Sequence, residues 1–245
     1  MSTPLSYEVD GRVAIITLRR PERRNAINAQ TTTLLHEAWR RFSASDERVA
    51  IITGEGDHFC AGVDVTDASK EAWKGVPNIG VTLDKPLIAA VNGSVVGAGF
   101  TLTMMSDLCI ADETARFIFP EAKVGMFGGI TASLVGRVPQ KVANEFLMLG
   151  EPMSAQRAYE VGMVNRVVST GDHRRAALEM AHRVAALAPL VLQTIKRDTL
   201  ATLPKSPAEQ AYPAMGRLQA LSQSEDAREG PLAFREKRSP DFKGR

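Results

Sequence analysis

Two six-residue runs, VAIITL (Val13 to Leu18) and VAIITG (Val49 to Gly54), are apolar, β-branched and bounded by polar or glycine-containing stretches. That pattern predicts buried strands. Between them Leu34, Leu35, Ala38, Trp39 and Phe42 recur at helical spacing, which gives a strand, helix, strand unit. PLIAAV (Pro86 to Val91), DLCIAD (Asp107 to Asp112) and NRVV (Asn165 to Val168) extend the strand series, with NGSVVGAGFTLTMMSD (Asn92 to Asp107) bridging two of them as a helix. Alternation of this kind predicts an α/β fold built on parallel strands.

Beyond Asp172 the pattern turns wholly helical. Asp172 is placed to cap one helix, and Pro189 suits the first turn of the next because its φ is fixed and it lacks an N–H. Ser206 and Glu209 have capping-box spacing, each side chain reaching the other's backbone N–H. The expected division is a core over residues 1–188 and a helical region over 189–245.

Composition narrows the function. The 245 residues and 44% hydrophobic content suffice for one sizeable core. A net charge of +2, without a basic stripe interleaved with aromatics, argues against nucleic acid as a partner. Cys60 and Cys109 each sit in apolar settings without a further ligand at metal spacing, so a reducing compartment and no metal are expected. MSTPLSYEVDGRV lacks a signal pattern, and no apolar run approaches the ~18 residues of a membrane span, so the expected location is the cytoplasm, away from membranes.

The chemistry is concentrated in two small-residue segments. GAGFTL (Gly97 to Leu102) imitates the start of a dinucleotide turn, but Leu102 stands where a third small residue is needed, and two strands precede it. The plainer alternative is that Gly97 and Gly99 let a helix start close to the sheet. FCAGVD (Phe59 to Asp64) again puts small residues just beyond the end of a strand, where ligands of α/β sheets collect. Two such loops, each offering a backbone N–H, can converge on one oxygen and stabilise it as it gains charge, which is an oxyanion hole.

HFCAGVD, VNGSVVGAGF, RRPERRNAIN, FPEAKVGMFGG and EGPLAFREKRSPDFKGR resemble, across essentially the whole chain, landmarks of the crotonase (enoyl-CoA hydratase/isomerase) superfamily. The resemblance implies a spiral of ββα units, a C-terminal helical region that assembles homotrimers or hexamers, and an acyl-coenzyme A thioester as substrate. Coenzyme A then belongs to the substrate, and no tightly bound cofactor is expected.

By the same resemblance the oxyanion donors are the N–H groups of Val63 and Ala98, the latter where relatives usually carry glycine. Of the two glutamates that hold water in the family's hydratases, one aligns with Glu121 and the other falls on Thr101, whose hydroxyl cannot act as a general base near neutral pH. A single carboxylate beside an oxyanion hole fits enoyl-CoA isomerisation or single-glutamate hydration, with retro-aldol lyase chemistry as the alternative. Gly129 occupies a position where dienoyl isomerases need another acid. Met126 and Phe127 either line an acyl pocket or belong to a flexible helix entry.

Coenzyme A calls for basic residues at the mouth. Arg23, Arg24 and Ala26 match the family's CoA loop, with Ala61 and Asp64 beside it, while Phe234 and Lys237 match residues that reach the adenine and phosphate, often from a neighbouring subunit. Asp64 also suits loop ordering, Asp107 a structural role at a helix end, and Cys60 a small buried apolar role. His58 sits near the segment as a loop histidine; His36, His173 and His182 lie on helix patterns without partner signatures. A non-catalytic CoA-ester-binding or RNA-binding relative is the reading of a different class.

Overall fold

A computed structural model describes residues 3–245. Its strands are β1 (Leu5–Asp10), β2 (Val13–Leu18), β3 (Val49–Gly54), β4 (Leu87–Val91), β5 (Ser94–Val96), β6 (Leu108–Asp112), β7 (Arg116–Ile118), β8 (Met153–Ser154) and β9 (Arg166–Val168). Its helices are α1 (Ala29–Ala44), α2 (Ala98–Met104), α3 (Glu121–Val124), α4 (Gln140–Leu149), α5 (Ala155–Glu160), α6 (His173–Ala185), α7 (Pro189–Thr202), α8 (Pro207–Ser222) and α9 (Glu225–Glu236).

The larger sheet runs β1-β2-β3-β4-β6-β9. Its members from β2 onward pair in parallel, with Val13 opposite Val49, Ala50 opposite Leu87, Ala89 opposite Cys109 and Ile110 opposite Arg166. Only β1 departs from the expected parallel arrangement, returning on β2 as an antiparallel edge. A smaller sheet, β5-β7-β8, comes from strands of two or three residues. The chain therefore repeats a strand in the large sheet, a strand in the small sheet and a helix: β4, β5, α2 and then β6, β7, α3. Asn92 to Asp107 is accordingly a short strand followed by a helix, where one bridging helix was expected.

Period-two alternation sorts the large sheet's side chains onto two faces. Ala14, Ile16, Ala50, Ile52, Ala89 and Val91 pack with Leu35, Trp39 and Phe42 of α1. Val13, Val49, Ile51, Ile88 and Ile110 pack on the alanines of α6, which are short enough to bring that helix close. Each large side chain removed from water in this way stabilises the fold by about 1.5–3 kcal/mol. Asn28 caps α1 by accepting the Thr31 N–H at 2.9 Å.

Pro189 opens α7, and Ser206 and Glu209 form the reciprocal capping box of α8. The expected Asp172 cap is absent: Asp172 stands at the start of α6 in a helical conformation, ψ −7°, and its carboxylate turns to Arg175 at 3.0 Å. The C-terminal helices are held to the core by charge. Buried Lys196 of α7 donates to Asp107 Oδ2 at 2.7 Å and to the Lys85 carbonyl at 2.8 Å, and Asp107 also accepts the Leu87 N–H. Buried Glu209 of α8 lies 3.6 Å from Arg137. Asp107 is thus a structural carboxylate.

Candidate active site

The chain that follows β3 is stitched to β5 by backbone. Phe59 N donates to Asn92 O, Cys60 N to Ser94 O and Val96 N to Cys60 O, at 2.8 to 2.9 Å. The extended pairing carries two loops, Ala61–Asp64 and Val96–Ala98, to the same place: a Cβ built on Gly62 would lie 3.9 Å from Ala98 N.

Most amides in these loops already have acceptors. Ala61 N donates to Arg24 O, Gly62 N contacts Cys60 Sγ, Asp64 N donates to Ile27 O and Gly97 N to Ile118 O. Among the described residues, the N–H groups of Val63 and Ala98 donate to no protein acceptor. Two unengaged amides on one cavity wall are an arrangement that can receive an oxygen.

Gly97 and Gly99 do different jobs. Gly99 abuts Cys60, where a Cβ would come within 2.7 Å of the cysteine Cβ, so it lets α2 start against the sheet. Gly97, at φ +50°, leaves room for something else: a Cβ there would sit 2.8 Å from Glu121 Oε1. Glu121 reaches this point because β7 pairs with β5 and ends at Ile118, three residues before Glu121 opens α3. The acid and the Ala98 amide are therefore neighbours across one glycine.

Glu121 is half-buried and its Oε2 has no hydrogen-bond partner. Burial pushes its pKa up to about 7, opposed only by its own backbone N–H. A carboxyl near neutrality can take a proton and return it. Thr101 is buried one turn into α2, and its hydroxyl donates to Gly97 O at 3.1 Å, which leaves it lone pairs with which to accept.

Val63, Ala98, Thr101, Glu121, Met126 and Phe127 line one cavity of about 300 Å³. Met126 and Phe127 are half or more exposed, with Phe127 edge-on to Phe119 at 6.3 Å. Residues that pattern did not single out complete the walls: Lys70, Trp73, Ile130, Tyr212 and Met215. Tyr212 and Met215 lie on α8, where an aromatic at helical spacing looks like any core residue; Trp73, alone in a polar stretch, was the one visible signal.

The expected CoA-binding residues are brought together only in part. Ile27 N donates to Gly62 O, so the Arg23–Ala26 loop lies against Ala61–Asp64, with both arginines exposed. Asp64 is held down to about 2 by the Thr66 hydroxyl and by Arg20, 2.9 Å away, so its carboxylate orders the loop. Phe234 is 85% exposed, Lys237 ends α9 in a left-handed conformation, and neither lines the cavity. His58 Nδ1 accepts the Ser94 N–H, His173 sits 3.3 Å from Asp112, and His182 lies near Asp10. Burial lifts the Cys60 thiol to about 12, which removes it as a nucleophile.

Comparison with known proteins converges with this geometry. Over its full length and theirs, the chain is 41% identical to a carnitinyl-CoA dehydratase of Proteus mirabilis (strain HI4320). Among solved structures it is similar to a carnitinyl-CoA hydratase from Mycobacterium avium, with 37% identity, TM-score 0.77 and full coverage of both chains. It is also similar to an enoyl-CoA hydratase from Mycobacterium tuberculosis H37Rv, with 30% identity, TM-score 0.75 and full coverage of both. The enoyl-CoA hydratase/isomerase family profile matches residues 8–245, and the chain belongs to that family of enzymes, with the crotonase fold and its helical C-terminal region.

Proposed function

We propose that this protein catalyses the reversible hydration and dehydration of an acyl-coenzyme A thioester through an enolate, with Glu121 as its only acid and base. The observation that carries this reading is the meeting, in one cavity, of two unengaged amides, Val63 and Ala98, with a carboxyl whose pKa is about 7. In dehydration, ionised Glu121 takes the α-proton of a 3-hydroxyacyl thioester, and the C–H electrons move onto the carbonyl oxygen held by the two amides. The enolate reforms the carbonyl and expels the 3-hydroxyl, which takes the proton back from Glu121 and leaves as water. Hydration is the reverse. Each amide contributes about 3 kcal/mol of transition-state stabilisation.

Thr101 accepts a hydrogen bond from the departing water or hydroxyl. Arg23 and Arg24 meet the coenzyme's phosphates, aided by the backbone of Ala26 and Ala61, while Phe234 and Lys237 serve a neighbouring copy's coenzyme. The exposed apolar residues Leu190, Val191 and Ile195 of α7 and Leu218 and Leu221 of α8 suit burial between copies, in keeping with a homotrimer or a pair of trimers.

A second reading, enoyl-CoA isomerisation, is favoured by one observation: Glu121 is the one carboxylate among the cavity's lining residues, so no second acid holds a water beside it. Here the α-carbon and γ-carbon exchange one proton and no water enters. The test is liquid chromatography that separates double-bond isomers, coupled to mass spectrometry, of a CoA-ester panel that includes carnitinyl-CoA, suggested by the relatives' names. Gain or loss of one water supports hydration chemistry; a double-bond shift without mass change transfers the assignment to isomerisation. Intact esters throughout would overturn both.

A further inference from the structure

Resting on that acyl-CoA reading, we propose that Trp73 and Tyr212 form the wall that sets the length of the acyl group. The two rings stack with centroids 5.6 Å apart and planes 7° from parallel, and both line the cavity that holds Glu121. They come from distant parts of the chain. Trp73 precedes Val76 and Ile79, and Tyr212 lies in the first half of α8.

The wall is braced by contacts from several elements. Buried Val76, Ile79, Met105 and Ile130 form a small cluster against which both rings pack. The Tyr212 hydroxyl donates to Gly128 O at 3.0 Å, tying α8 to the loop that carries Met126 and Phe127. Gly216, one turn beyond Tyr212, presents its bare Cα to the indole, and a Cβ there would lie 3.0 Å from Trp73 Cη2. Lys74 pairs with Glu71 and Gln219 at 2.8 and 2.9 Å, pinning the strand of chain beside Trp73 to the far end of α8. Rings held this way do not swing aside for a longer chain, because close-packed surroundings resist rearrangement.

The wall therefore selects short acyl groups, and it can be moved in either direction. Trp73→Ala or Tyr212→Ala opens the cavity towards α8. Gly216→Ala, which favours the helix itself, presses on the indole and shifts it off α8 by a few tenths of an ångström. Tyr212→Phe keeps the ring and removes only the bond to Gly128, so its length preference stays near that of the parent.

The experiment measures affinity for saturated acyl-CoA esters of about four to about sixteen carbons by calorimetry, and kcat/KM for the matching 2-enoyl esters, on the full chain. We expect a short-chain optimum in the parent, a gain of about tenfold or more for longer esters in Trp73→Ala and Tyr212→Ala, and a loss of similar size for the parent's best substrate in Gly216→Ala. Opposite shifts are not a signature of general destabilisation. An unchanged length profile in folded variants overturns the wall. If no ester is turned over but the affinity profile still shifts, the catalytic reading has failed and the wall stands.

Discussion

The two sides of the cavity are made of different material. One side is backbone: Val63 and Ala98 offer amides fixed by pairing between the chain after β3 and β5. The other is side chain: Glu121, Met126, Phe127, Trp73 and Tyr212, drawn from a glycine-rich loop, a short turn and the C-terminal helix α8. A backbone wall can keep its chemistry while its side chains change, which is why alanine at position 98 is compatible with an oxyanion hole. A side-chain wall cannot, so under the proposed function reaction and substrate are decided there.

The largest effect should come from the side-chain wall. Glu121→Gln should lower kcat by about 10³-fold or more and leave CoA-ester affinity close to the parent's, as steady-state kinetics and calorimetry would report. The same variant has a second signature. The folded-state pKa of Glu121, about 7, lies above its ordinary value of 4.5. Its stabilising balance is thus complete below pH 4.5 and is lost as pH rises through about 7, where the buried carboxyl must ionise. Glu121→Gln should therefore match the parent in denaturant unfolding at acid pH and exceed it above pH 7. Dehydration by the parent should rise over the same interval, because the α-proton is taken by the ionised form.

Gly97→Ala attacks the contact between the two walls. Its Cβ would stand 2.8 Å from Glu121 Oε1 at a φ of +50°, so the carboxyl must move. A loss of about 10²-fold in kcat with little change in the coenzyme's contribution to binding is expected, since a displacement of about an ångström costs that much. Ala98→Gly should do least. The donor is the amide, so kcat should change by no more than about threefold; a change as large as that of Gly97→Ala would mean that side chains shape this side after all.

How much of this was legible beforehand follows the same division. VAIITL and VAIITG announced β2 and β3 because a buried parallel strand is a continuous apolar run. Ser94–Val96 and Arg116–Ile118 are too short to carry a period, so the small sheet, which aligns the loop before α2 with Glu121, was missed: the first strand lay inside an expected helix and the second matched no pattern. Val63, Ala98, Thr101, Glu121, Met126 and Phe127 were named through motifs that resemble the family's, and they meet in one cavity. Tyr212 and Met215 were not, because what places them there is the docking of α8 through the Arg137–Glu209 pair and the Tyr212 bond to Gly128, contacts that leave no local pattern. Buried Lys196 was equally invisible, its partner Asp107 being set by the tertiary fold.

The central claim is that the two amides and Glu121 together make and quench an enolate, and exchange of the α-hydrogen of a bound acyl-CoA ester in deuterated water tests it most directly. The account predicts deuterium uptake at the α-carbon with the parent enzyme and its loss in Glu121→Gln at saturating ester. Uptake that persists in Glu121→Gln, or none with any ester that the parent binds, would contradict it.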